Sequence, residues 1–184
     1  MRSYNVGLAG AALAAILLSG CGGGNPVNTG PFGGSNYGGE GTCSDPLPPH
    51  SVFTDSDLAF NNTGPAAVID KVSFTHIHGL RLVAAYTALN LQIGGGFGDA
   101  PGPPPPSELA RGILWSQRQR ADGAHIPPTP KSDEVDLVLV MQLTSASGTF
   151  SGLNLYYHTR GGHYHMQVDR SLTLRTHSNQ SCRP

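Results

Sequence analysis

The stretch Leu153-Asn-Leu-Tyr-Tyr-His-Thr-Arg-Gly-Gly-His-Tyr-His-Met-Gln-Val168 decides the fold. Large apolar side chains alternate with polar ones in two runs either side of Arg160-Gly161, the pattern of two antiparallel strands joined by a tight turn. The register follows from the same pattern. With Thr159 opposite Gly162, Tyr157 faces Tyr164, Leu155 faces Met166 and Leu153 faces Val168, so every large apolar pair falls on one face. A slip of one residue destroys that agreement. The other face then carries His158 beside His163, Tyr156 beside His165 and Asn154 beside Gln167.

Working outward, residues 58–74 read as strand, turn, strand, with Asn62, Gly64 and Pro65 marking the reversal. Further strand signals lie at residues 80–91, 112–115, 135–144, 150–159 and 163–175. Glycine (25) and proline (15) are abundant, which fits strands joined by many turns and argues against long helices. The strand-turn-strand segment over residues 58–74 resembles the opening hairpin of many bacterial immunoglobulin-like domains. That resemblance implies an all-β fold, an immunoglobulin-like antiparallel β-sandwich of about seven strands over residues 43–184. Residues 94–106, GGGFGDAPGPPPP, offer few backbone donors and no hydrophobic periodicity, so they are expected to form an exposed loop with a polyproline II portion.

At the amino end, Arg2 precedes an apolar run over residues 6–18, too short for a helix crossing a bilayer core of about 30 Å. The run ends in Leu18-Ser19-Gly20-Cys21, which resembles the lipobox of bacterial lipoproteins. The resemblance implies that residues 1–20 are a signal peptide, that Cys21 carries lipid, and that the protein is exported and anchored at the outer face of a bacterial membrane. Three cysteines in an exported chain leave one odd thiol. Lipidation of Cys21 removes it from the count, so Cys43 and Cys182 are expected to pair in a compartment that permits disulfides. Residues 22–42, GGGNPVNTGPFGGSNYGGEGT, carry almost no aliphatic side chains. Residues 21–42 therefore read as a lipidated, flexible Gly-rich tether.

The histidines carry the chemistry. Opposed strand residues stand about 5 Å apart at Cβ, so His158, His163 and His165 can converge on one ion with an open fourth position. Imidazole suits zinc and copper. A second pair, His76 and His78, follows Val72 and Phe74 with the same parity, which predicts the end of an inward face unless a bulge intervenes. Asp133, Glu134 and Asp136 read as a solvated strand entry, and Trp115 as a core residue followed by solvated Arg118 and Arg120.

Charged residues are 12% of the chain and the formal net charge is -1, so no field gathers nucleic acid. The chain has no Gly-x-Ser-x-Gly elbow, His-Glu-x-x-His helix or Cys-x-x-Cys pair. The function expected is a non-enzymatic, membrane-anchored envelope lipoprotein, a binding or accessory module for an envelope protein or small ligand with no required cofactor. The alternative is a zinc or copper binding lipoprotein built on the histidine hairpin.

Overall fold

The computed structural model describes residues 27–34, 41–91, 100–103, 113–130 and 133–177. Alternating apolar residues drive two six-stranded sheets face to face, and the fold is an all-β sandwich. In spatial order, the first sheet runs β1 (Val27–Asn28), β12 (Gly162–Arg175), β11 (Ser147–Thr159), β5 (Ala67–His78) and β9 (His125–Ile126), with β3 (Thr42–Cys43) also on β12. The second runs β2 (Phe32–Gly34), β4 (Val52–Asn62), β10 (Glu134–Leu143), β6 (Leu80–Asn90) and β8 (Gln119–Arg120), with β7 (Ala100–Pro101) also on β4. All neighbours are antiparallel except β3, which runs parallel to β12. Among the described residues no helix is long and apolar enough to cross a membrane.

The hairpin of β11 and β12 has the register its apolar pattern requires: Thr159 opposes Gly162, Tyr157 opposes Tyr164, Leu155 opposes Met166 and Leu153 opposes Val168. Tyr157, Leu155, Leu153, Met166 and Val168 are buried against Phe60, Leu137, Leu139 and Met141 of the other sheet. Buried apolar area of this kind contributes roughly 25 cal/mol per Å², which makes the inter-sheet layer the main source of stability.

The reversal at Asn62, Gly64 and Pro65 is present, but it is not a hairpin. Gly64 N–H donates to Asn62 Oδ1 at 3.1 Å and Asn62 Nδ2 donates to the Pro65 carbonyl at 2.8 Å, closing the turn. β4 then pairs with β10 and β5 with β11, so the chain crosses from one sheet to the other. The turn reverses direction, but burial of both apolar faces between the sheets decides the partners. The next crossing, β5 to β6, takes the single residue Gly79, whose φ is 62°. A Cβ there would strike the Ser147 carbonyl oxygen, so only glycine fits.

Four more expectations are corrected. Of the strand expected at 112–115, residue 112 lies outside the described residues and 113–115 form none: Ile113 makes one isolated bridge to Asn90, and Trp115–Gln117 form a 3-10 turn. Within 94–106, Ala100 and Pro101 add two residues to the edge of β4, whereas the polyproline stretch beyond residue 103 lies outside the described residues. Within the expected tether, β1 and β2 dock on both sheets and Phe32 is buried, stacked on Tyr157 at 3.8 Å between centroids and against Phe60 at 4.7 Å. Gly30 permits this approach, since a Cβ there would meet the Tyr157 hydroxyl and the Tyr164 ring. The folded unit therefore includes residues 27–34, ahead of Cys43.

The fourth correction concerns the acidic group before β10. Glu134 and Asp136 are buried, because β10 is covered on both faces. Its outer side lies under a second cluster of Ala88, Ile113, Trp115 and Val138, with Tyr86 packed against it. A strand enclosed on both faces reads as a continuous apolar run, which is how residues 137–141 read. Trp115 is a core residue, as expected; Arg118 lies over its ring at 4.7 Å and Arg120 over Tyr86 at 5.4 Å.

Candidate functional site

Outward from the hairpin register, His158 and His163 are directly opposed, with ring centroids 5.4 Å apart. The third member of the group comes from the neighbouring strand. On β5, Ile69 pairs with Tyr157 and Lys71 with Tyr156, which leaves Asp70 as the additional residue of a β-bulge. Bulges re-aim side chains. Here Asp70 Oδ1 lies 2.6 Å from His158 Nδ1 and Asp70 Oδ2 lies 3.7 Å from His163 Nδ1. One donor atom from each of the three residues lies within 4.8 Å of the others. A carboxylate flanked by two imidazoles can hold a proton between the rings or accept a cation in its place.

His165 does not join them. Its ring stacks on Tyr156 at 4.6 Å, and its Nε2 lies 2.9 Å from Asn154 Oδ1, while Asn154 Nδ2 donates to Thr75 Oγ1 at 3.1 Å. Asn154 is buried, and that amide holds the imidazole away from the turn. The expected set of three histidines therefore becomes two histidines and an aspartate.

His76 and His78 are exposed and pair with Ser151 and Thr149. They lie six and eight residues beyond Asp70, on the order of 20 Å along the strand, and contribute nothing to the cluster. Their expected inward position fails although the β5–β11 register runs unbroken from Val72 to His78, because residues 75–78 are exposed on both faces of the strand.

Asp70 was missed, although the sequence carries its signal. Ile69 and Val72 both face inward, yet they stand three residues apart, and a period-two strand reaches one face from both only if an extra residue intervenes. The polar pair Asp70-Lys71 supplies that residue.

Of the cysteines, Cys43 sits on β3 opposite Thr173 of β12. Cys21 and Cys182 lie outside the described residues. Comparison with protein-family models, curated proteins and solved structures finds no match to this chain.

Proposed function

We propose that the protein is an exported lipoprotein, anchored through lipid on Cys21 at the outer face of a bacterial membrane, and that its sandwich is a non-enzymatic binding module of immunoglobulin-like topology. The observation that carries the module reading is the convergence of Asp70, His158 and His163 beside the Arg160-Gly161 turn. The strand order supports the topology: β2-β4-β10-β6 faces β5-β11-β12, the A-B-E-D over C-F-G order of the seven-stranded immunoglobulin sandwich. In that correspondence the site lies at the end that bears the B–C and F–G turns, which variable domains use to bind ligands. The analogy is one of fold.

The anchor rests on Leu18-Ser19-Gly20-Cys21 and the short apolar run before it. Incorporation of a labelled fatty acid tests it. Wild type takes the label and Cys21→Ala does not; equal label in both overturns the anchor. Capture of partners from the native envelope with the lipidated protein tests the module, and reproducible turnover of a small substrate by the purified chain would replace it with an enzyme.

A Cys43–Cys182 disulfide belongs to the same proposal. Its support is the bonded state of Cys43 and the parallel run of the two chain ends, in which Ser44 N–H donates to the Thr173 carbonyl at 3.0 Å and Leu47 N–H to the Arg175 carbonyl at 2.8 Å. Closing so long a loop constrains the unfolded chain by roughly 4 to 5 kcal/mol on an entropic account. Intact mass without reductant should fall two hydrogen atoms below the reduced mass. Free thiols at both positions in exported protein would end the claim.

A further inference from the structure

We propose that Asp70, His158 and His163 bind one borderline divalent cation per chain, zinc or copper(II). The proposal rests on taking this face as the module's ligand site and names the ligand class.

The donor set comes first. Two imidazole nitrogens and one carboxylate oxygen are ligands such ions accept, and three protein ligands leave a position for water or an exogenous ligand. Zinc lies about 2.0 to 2.1 Å from imidazole nitrogen, so neighbouring donors in a tetrahedral site stand about 3.4 Å apart. Asp70 Oδ2 and His163 Nδ1, at 3.7 Å, are already near that spacing. Asp70 Oδ1 and His158 Nδ1, at 2.6 Å, are at hydrogen-bond distance. An ion replacing the proton between them needs the pair to open by less than about 1 Å.

The scaffold comes second. The bulge fixes where Asp70 leaves β5, and the opposed pairing of His158 with His163 fixes the two rings. Only side-chain torsions remain to adjust. His163 is 85% exposed, while His158 and Asp70 are 39% and 37% exposed. Such a site exchanges its ion with solvent, and its affinity falls below that of an enclosed structural site. Lys71 and Arg160, both exposed and next to site strand positions, lower it further through their charge, an effect weakened by screening.

Calorimetric titration of the purified full-length chain with zinc and with copper(II) tests the assignment. Wild type should bind one equivalent of either ion, copper more tightly, as the usual affinity order of divalent metals requires. Asp70→Asn and His163→Ala should each weaken binding by about 100-fold or more, since loss of a residue that merely supports a ligand costs 10- to 100-fold. Circular dichroism melts should leave His163→Ala folded, because its ring is exposed. His165→Ala and the His76→Ala/His78→Ala double variant should bind as wild type. With copper(II), electron paramagnetic resonance should count two coordinating nitrogens in wild type and one in His163→Ala. Unchanged binding in Asp70→Asn, or loss in His165→Ala, would overturn the ligand set. Equally weak binding by all the variants and wild type would remove the site altogether. Either result leaves the fatty-acid label and the captured partners unaffected, so failure of the metal site is distinguishable from failure of the anchored-module reading.

Discussion

Phe32 is an aromatic side chain in a glycine-rich run, and it lies in the core between Phe60 and Tyr157. Its backbone N–H also donates to the Tyr157 hydroxyl at 3.3 Å. Phe32→Ala should lower unfolding free energy by about 3 to 5 kcal/mol, read from urea denaturation; a loss under about 1 kcal/mol would mean that residues 27–34 are not docked in solution. Composition hid this residue, because an averaged polarity describes a segment and one ring needs only one pocket. Asp136 makes the second residue-scale case. Burial pushes its pKa from 3.8 up to about 7, opposed by the Asn90 amide at 3.2 Å and reinforced by the charge of Glu134. A raised acid binds its proton more tightly in the folded chain than in the unfolded one. Its contribution is therefore full below about pH 4 and is lost as pH rises through about 7, at up to about 1.4 kcal/mol per pH unit in that window. Asp136→Asn should flatten that part of the stability profile. An undiminished slope in the variant would assign the pH dependence to another group.

Strand elements with one face in the core were legible, because alternation states which residues turn inward; the hairpin register of β11 and β12 is the clearest instance. Strand partnership was not. β4 and β5 are neighbours in sequence but sit in opposite sheets, and nothing local in Asn62-Asn61 or Gly64-Pro65 distinguishes a hairpin from a crossing. The two buried acids of β10 were likewise invisible, since the cover over them comes from residues around Trp115, far away in sequence. A tie between elements also escapes the local pattern: Arg170 of β12 reaches Asp55 of β4 at 3.0 Å, both buried. This pair links the two sheets through their interior. Arg170→Leu should cost about 3 to 5 kcal/mol, because it strands a buried carboxylate, whereas Arg170→Leu with Asp55→Leu should recover much of that loss. Thermal melts of both variants decide it; a double variant as unstable as the single one would show that packing, and not charge, holds the position.

For the whole molecule, the sequence disclosed the all-β class and the histidine face, and it misassigned where the folded unit begins. The docked β1 and β2 bear on how the molecule carries load. The ladders of β1 on β12 and β2 on β4 are two and three residue pairs long, far shorter than those joining the main strands. A pull on the chain from ahead of residue 27 meets these short ladders first, together with the Phe32 ring seated between Phe60 and Tyr157. Peeling residues 27–34 releases eight residues, about 27 Å of extended chain. Tension at the amino end thus acts first on contacts that flank the Asp70–His158–His163 group, since Thr29 hydrogen-bonds to the backbone of His165 and Phe32 stacks on Tyr157.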